Sequence, residues 1–107
     1  MTLWIDTQGT VIGNAALAQA DCLQAVEDLS STGLPVRLVS SSPGAVLCGR
    51  PIGDKADALR ELQLGDVWVD DDTMVLKVVL RQGAITVPAR CLCHLADLLC
   101  NGRRRAL

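Results

Sequence analysis

Short apolar segments alternate with helical segments along the chain, and this alternation restricts the fold more than any other feature. The segments "LWID", "VRLV", "VWVD" and "AITV" have the length and composition of buried strands. The stretches between them place apolar residues at helical spacing. Strands that alternate with helices form a mostly parallel sheet with right-handed crossovers. We therefore predict an α/β, three-layer Rossmann-like domain, with a sheet of about four to five strands and helices on both faces.

Turn and capping residues set the predicted boundaries of these elements. Asn14 and Asp54 are residue types that cap helices at their N-termini. The helices are predicted over residues 15–29, 55–64, 73–81 and 89–100, and the strands over 2–7, 36–39, 67–69 and 84–87. For 73–81 a strand paired with "AITV" is an alternative, because its valines are β-branched. Between the second strand and the second helix, "AVLC" fits a strand or a helical turn, and "GRPIG" is predicted to be a loop.

Length and composition agree with a single domain over residues 1–107. Half of these residues are apolar, which is enough for a hydrophobic core and argues against disorder. The formal net charge of −2 provides no general attraction to nucleic acid. The basic cluster Arg103 to Arg105 lies in a short segment, residues 102–107, that is predicted to be a solvated tail.

The sequence also bears on the compartment of the protein. No apolar run approaches the roughly 20 residues that cross a bilayer, and the N-terminus lacks the pattern of a signal peptide. The five cysteines are odd in number and irregularly spaced, which favours free thiols in a reducing compartment. We therefore expect a cytoplasmic protein that does not contact membranes.

Residue types that bind metals cluster near the C-terminus, as Cys91, Cys93, His94 and Cys100. Residues two apart on a helix point to different faces, and the cluster contains no C-x-x-C pair. Small apolar core cysteines are therefore favoured over a zinc site.

Polar side chains occur where the predicted strands end. The first strand ends in Asp6, the second in Ser40 and the third in Asp70 and Asp71, and Lys55 begins the helix before the third strand. The carboxyl ends of parallel strands share one edge of a sheet, and ligands bind in the crevice beyond that edge. Carboxylates are hard oxygen ligands that suit Mg²⁺, and a hydroxyl and an ammonium can bind phosphate oxygens. An aspartate beside a cation can also act as a nucleophile.

Four segments in this order resemble the four motifs of the haloacid dehalogenase (HAD) superfamily of phosphatases and phosphotransferases. They are "IDTQGT", "RLVSSS", "DKADAL" and "VWVDDDT". The later segment "GAITVPARCLCHLADLL" is similar to the strand, loop and helix that close the family's fold. The resemblance implies a HAD-like domain and a Mg²⁺-dependent phosphohydrolase or phosphotransferase that acts through an aspartyl-phosphate.

The resemblance also implies roles for individual residues. The roles are a nucleophile that also binds the metal (Asp6), a backbone carbonyl for the metal beside the substrate (Gln8), phosphate-binding hydroxyls (Ser40, Ser41), a cation that neutralises charge during catalysis (Lys55, or failing that Arg50 at the substrate) and two further Mg²⁺ ligands (Asp70, Asp71).

Gln8 departs from the family's pattern. The family's phosphatases have an aspartate there, which protonates the leaving group, whereas an amide cannot transfer that proton. General acid–base help of this kind is worth about 10²–10⁴-fold in rate. The alternative is therefore a catalytically inactive HAD-like domain that serves as a protein-interaction or regulatory module. A receiver-like domain phosphorylated by a partner is a third hypothesis, disfavoured because receivers carry their acidic pair after the first strand.

The chain is also shorter than the family's usual catalytic core. Between Gly9 and the first predicted helix there is no room for the cap domain that closes many such sites. An open site implies a large phosphorylated substrate, such as a macromolecule, or a lid that a second subunit of a homo-oligomer supplies.

Overall fold

A computed structural model describes the backbone of residues 1–106 and the side chains of residues 1–101. The elements are β1 (Leu3–Asp6), α1 (Gln19–Ser30), β2 (Val36–Ser40), β3 (Val46–Leu47), β4 (Arg50–Asp54), α2 (Lys55–Glu61), β5 (Val67–Asp70), α3 (Thr73–Arg81), β6 (Ile85–Pro88), a 3₁₀ turn (Ala89–Cys91) and α4 (Leu92–Ala106). The strands form one sheet in the order β3-β4-β2-β1-β5-β6. All pairs are parallel except the hairpin of β3 and β4. The predicted α/β class and mostly parallel sheet are confirmed.

Alternate residues of β1 enter two different clusters of the core. Leu3 and Ile5 pack in one cluster with Val26 of α1 and Leu92 of α4. Trp4 belongs to the other, whose buried members include Ala58 of α2, Trp68 of β5 and Val79 of α3. Because successive side chains of a strand point to opposite sides of a sheet, β1 contributes to both clusters at once. Its C-terminal end is thereby held rigidly.

The two tryptophans link the second cluster to a carboxylate at each end of β5. Their rings are stacked, with centroids 6.0 Å apart. The indole N–H of Trp4 donates to Asp66 Oδ2 at 3.0 Å, and that of Trp68 donates to Asp70 Oδ2 at 3.0 Å. Buried indole nitrogens need such partners. The core therefore fixes the orientation of Asp70.

Several predicted boundaries are wrong. The sheet has six strands rather than about four to five. The difference comes from β3 and β4, since the segment "RPIG" of the predicted loop belongs to strand β4. Cys48 and Gly49 form the turn between these strands with φ values of 53° and 71°, which is the backbone of a tight hairpin.

The helices also differ from their predicted limits. The Asn14 side chain accepts from the backbone N–H groups of Ala16 and Leu17, so it forms a local turn and α1 begins later than predicted. The second helix ends at Glu61. Residues 73–81 are helical, so the strand alternative is wrong. The last helix spans Leu92–Ala106, and the side chains of the predicted tail, residues 102–107, lie outside the described residues.

Among the described residues, no helix combines the length and apolar composition needed to cross a membrane.

Candidate functional site

Three charged side chains meet at the carboxyl edge of the sheet. The ammonium of Lys55 lies 2.8 Å from Asp6 Oδ1 and 3.1 Å from Asp70 Oδ2. Asp6 ends β1, Asp70 ends the neighbouring strand β5, and Lys55 begins the helix that follows β4. All three side chains are largely buried. The structure thus brings together the nucleophile, the cation and one of the metal ligands that the sequence analysis proposed.

A tight turn after β1 orients the Asp6 carboxylate. The carbonyl of Thr7 accepts the backbone N–H groups of Val11 and Ile12 at 3.0 and 2.9 Å, and the carbonyl of Ile12 accepts the N–H of Gly9. This turn carries Thr10 back over the strand end, where its hydroxyl donates to Asp6 Oδ2 at 3.2 Å. Each carboxylate oxygen of Asp6 therefore has its own partner.

The three consecutive aspartates after β5 have three different environments. Asp70 is fully buried and accepts from Trp68 Nε1 and from the backbone N–H of Asp72. The Asp71 carboxylate lies directly against the backbone of Gly9, where a Cβ atom would overlap it. Asp72 caps α3, accepting from the N–H groups of the helix's first turn. Only Asp70 and Asp71 are therefore available to the site.

Asp6, Asp70 and Asp71 form a group that could hold a metal ion. Each offers a carboxylate oxygen, and these oxygens all lie within 4.8 Å of one another. Opposite ligands of an octahedral Mg²⁺ are about 4.2 Å apart, so the spacing fits this ion after a small adjustment. When all are ionised, three carboxylates and one ammonium leave two negative charges uncompensated. The donor set therefore matches a divalent, hard cation.

Burial gives the site unusual protonation behaviour. It raises the pKa of Asp6 to about 7; the Lys55 hydrogen bond opposes the rise and the Asp70 charge adds to it. For Lys55 burial works in the opposite direction, but its contacts with Asp6 and Asp70 raise the pKa above the ordinary lysine value. The two pKa shifts are consistent with each other. The Lys55 ammonium gains two carboxylate partners, whereas the two carboxylates share a single ammonium.

The hydroxyl groups proposed to bind phosphate occupy the same edge. Ser40 pairs in register with Asp54, the residue before Lys55. Its side chain is buried and its hydroxyl accepts the N–H of Ser42 at 3.0 Å. Ser41 and Gln8 are exposed at this edge. The Thr7 hydroxyl, one residue after Asp6, is buried with no hydrogen-bond partner.

Arg50 lies away from this group. It is the first residue of β4, whereas Lys55 directly follows the last residue of that strand. Arg50 and Asp54 are four residue steps apart along the strand, which corresponds to about 13 Å. Of the two cations considered, Lys55 therefore contacts the carboxylates and Arg50 stands at the opposite edge.

Sequence reasoning missed four residues of this region: Gly9, Thr10, Trp68 and Arg90. Thr10 was part of the motif, but nothing in the sequence indicated its bond to Asp6. Trp68 precedes Asp70 by two residues, so both point to the same face of β5, and this spacing could have revealed the contact. Arg90 follows the end of β6, and the rule of shared strand ends could have been extended to it.

All five cysteines are free thiols. The thiol of Cys93 donates to the Asp21 carbonyl at 3.6 Å, and that of Cys100 to the Asp28 carbonyl at 3.5 Å. These bonds join α4 to α1. Within the part of the chain that the structure describes, Asp6, Asp70 and Asp71 are the one group with metal-binding geometry, and this group includes none of the cysteines.

A scan against models of known protein families finds no match, and searches of curated proteins and of solved structures find none either.

Proposed function

We propose that this chain is a Mg²⁺-dependent phosphohydrolase or phosphotransferase with a three-layer, HAD-like domain, acting through an aspartyl-phosphate on Asp6. The observation that carries the proposal is the contact of the Lys55 ammonium with both Asp6 and Asp70, beside Asp71, at the carboxyl ends of two neighbouring parallel strands. The order of the four sequence motifs supports the same assignment.

In this proposal Asp6 attacks the phosphorus of a phosphomonoester. The new bond joins an Asp6 oxygen to phosphorus, and the bond from phosphorus to the leaving oxygen breaks. Water or an acceptor hydroxyl then attacks the same phosphorus and releases Asp6. Lys55 holds the ionised Asp6 in place, and Ser40, which ends the strand beside β1, would contact the phosphate. Asp6, Asp70 and Asp71 would hold Mg²⁺, which would neutralise the phosphate charge.

Gln8 determines which leaving groups suit such a site. It is exposed and follows Asp6 by two residues, but its amide cannot protonate a departing alkoxide. A leaving group that departs as a stable anion needs no such proton. We therefore expect aryl phosphates to react faster than alkyl phosphates at this site.

The test is the hydrolysis of p-nitrophenyl phosphate with and without Mg²⁺. The expected result is a Mg²⁺-dependent release of phosphate that Asp6→Asn reduces by at least about 10³-fold, because a nucleophile is removed. Asp57→Asn is the matched control: it makes the same change in charge on the exposed face of α2, and it should leave the rate within twofold. Activity that persists in Asp6→Asn would exclude the aspartyl-phosphate.

Glycine at position 9 is expected to be needed for full Mg²⁺ affinity. Gly9 and Gly13 both have positive φ, at 85° and 72°, so alanine at either position loses roughly 1 kcal/mol of stability. Only at Gly9 would the new Cβ displace the Asp71 carboxylate, since nothing lies within 4 Å at Gly13. Calorimetric titration should show Mg²⁺ affinity reduced about tenfold or more in Gly9→Ala and unchanged in Gly13→Ala. Equal Mg²⁺ affinities in the two variants would show that Asp71 does not bind the metal.

The second candidate is an inactive module that binds a phosphorylated or unmodified partner protein. Gln8 favours it, because the amide replaces the acid that efficient phosphatases of this type require. Beryllofluoride with Mg²⁺ distinguishes the two, since it mimics a phosphoryl group on an aspartate. A rise in the melting temperature that requires Asp6 supports the enzyme, and the absence of any rise supports the interaction module.

The open carboxyl edge of the sheet also indicates what kind of substrate or partner the site would need. The segment between β1 and α1 is a short turn region rather than a domain. Either the substrate itself or a second copy of the chain would have to cover Asp71 and Gln8 during the reaction.

A further inference from the structure

A small pocket adjoins the metal-binding group on the β6 side. Its volume is about 230 Å³, and both Asp70 and Asp71 contribute to its wall. Small or apolar residues, including Ala15, Leu76 and Pro88, also line the pocket. Binding pockets for drug-sized ligands are larger, at about 300–1,000 Å³, so this pocket suits only a small organic group.

Arg90 is the cation of this pocket. It lies in the 3₁₀ turn that follows β6 and is exposed. Among the described residues it takes part in no ion pair, in contrast to Lys55 and Arg60. Its guanidinium is therefore free to bind an anion from solution, although two carboxylates line the same pocket.

Asn14 fixes the turn that carries Arg90 relative to the Asp6 loop. Its side-chain amide donates to the Ala89 carbonyl at 3.0 Å and to the Thr10 carbonyl at 2.9 Å. Thr10 in turn donates through its hydroxyl to Asp6. Asn14 thus bridges two segments 75 residues apart in sequence. Hydrogen bonds therefore tie the backbone beside Arg90 to the turn that contacts Asp6.

We propose that this pocket binds the organic part of a small phosphomonoester and that Arg90 binds a second anionic group of that substrate. The inference rests on the proposed function, because it assumes that the phosphate lies at Asp6. The second group is a carboxylate or another phosphate, both of which a guanidinium binds with two parallel hydrogen bonds. Arg90, which lines the pocket, is then a specificity-determining residue for the second anionic group.

Matched ligands test this proposal by equilibrium binding to the full chain in the presence of Mg²⁺. Glycerol 3-phosphate and 3-phosphoglycerate differ in one end group, which is a carboxylate only in the second. Propyl phosphate and 1,3-propanediol bisphosphate make the same comparison for a second phosphate. Titration calorimetry should show that, in at least one of these pairs, the ligand with the second anionic group binds about tenfold or more tightly than its partner.

Three variants assign the preference to Arg90. Arg90→Gln should reduce the ratio of affinities within the preferred pair to below about twofold, and Arg90→Lys should restore part of it. Arg81→Gln is the matched control, since Arg81 is an exposed arginine at the end of α3 that lines no described pocket. It should keep the ratio of the unmodified chain.

The possible failures are distinguishable. If p-nitrophenyl phosphate is hydrolysed with Mg²⁺ but neither pair shows a preference, the pocket proposal is overturned and the proposed function stands. If a preference survives in Arg90→Gln, the second anion binds elsewhere and the role of Arg90 is overturned. If none of the four ligands binds and no phosphate is released, both proposals are overturned together.

Discussion

Replacing Lys55 with methionine is expected to lower the free energy of unfolding by about 3–5 kcal/mol at pH 8 in the absence of metal. Methionine keeps an unbranched stem of similar length but removes the ammonium that lies 2.8 Å from Asp6 and 3.1 Å from Asp70. Two buried carboxylates then face one another without a cation, and one must take up a proton or draw in water. Urea denaturation in the presence of EDTA measures the loss.

A second ion pair on the same helix provides the matched control. Arg60 contacts Asp57 at 3.2 Å, but both side chains are mostly exposed. Arg60→Met should therefore change the stability by no more than about 0.5 kcal/mol. The comparison separates the effect of removing a positive charge from α2 from the effect of leaving buried carboxylates unpaired.

A second substitution and added Mg²⁺ identify the cause of the stability loss in Lys55→Met. Asp6→Asn introduced into that variant should recover a large part of the lost stability, because only one buried carboxylate then remains. Mg²⁺ should also stabilise the variant, since a ligand that binds only the folded state raises its stability. A loss below about 1 kcal/mol in Lys55→Met would contradict the view that Lys55 compensates these carboxylates.

The order of strands and helices could be predicted because each segment carries its own periodicity. The run of "VWVD" is apolar on both faces, as a central parallel strand must be, and β5 is indeed flanked by β1 and β6. The hairpin of β3 and β4 could not be predicted in the same way. β3 has two residues, and β4 contains Pro51 and Gly53, which are depleted in strands. Their pairing is decided by tertiary contacts with β2.

The residues of the site could likewise be predicted only in part from the sequence. Asp6, Lys55 and Asp70 were found because strand ends converge wherever a sheet is parallel. The three aspartates after β5 look equivalent in sequence, but Asp72 serves as a helix cap. Arg50 and Lys55 are only five positions apart in sequence. Arg50 begins β4, whereas Lys55 follows the other end of that strand and begins α2. Assigning "GRPIG" to a loop concealed that separation. The backbone conformation, not the residue types, decides which cation reaches the carboxylates.

The stability of the metal-free protein is expected to fall by about 2–3 kcal/mol as the pH rises from 5 to 8. Burial raises the pKa of Asp6 from 3.8 to about 7 in the folded state, whereas the solvated carboxyl of the unfolded chain ionises near pH ~4. Between these values the folded state holds one more proton than the unfolded state. Each pH unit in this interval therefore removes up to about 1.4 kcal/mol, and the loss levels off above the folded pKa.

The pKa shift of Asp66 has the opposite sign to that of Asp6, and it affects the stability in a different pH range. It too is buried, which works against ionisation, but hydrogen bonds from Trp4, Gln63 and Thr2 lower its pKa. The stability that it contributes is complete above about pH 4 and is lost only in more acidic solution. Measurements between pH 5 and 8 therefore report on Asp6 without a contribution from Asp66.

Asp6→Asn should remove most of the slope between pH 5 and 8, whereas Asp57→Asn should retain it. Urea denaturation in EDTA at half-unit intervals of pH resolves the difference. A slope that survives Asp6→Asn would show that Asp6 does not carry the extra proton. Because protons and Mg²⁺ compete for the same carboxylate, the stabilisation by Mg²⁺ should increase over the interval in which the metal-free protein weakens. The carboxylates whose proximity destabilises the metal-free protein at pH 8 are the same ones that would hold Mg²⁺ in the proposed function.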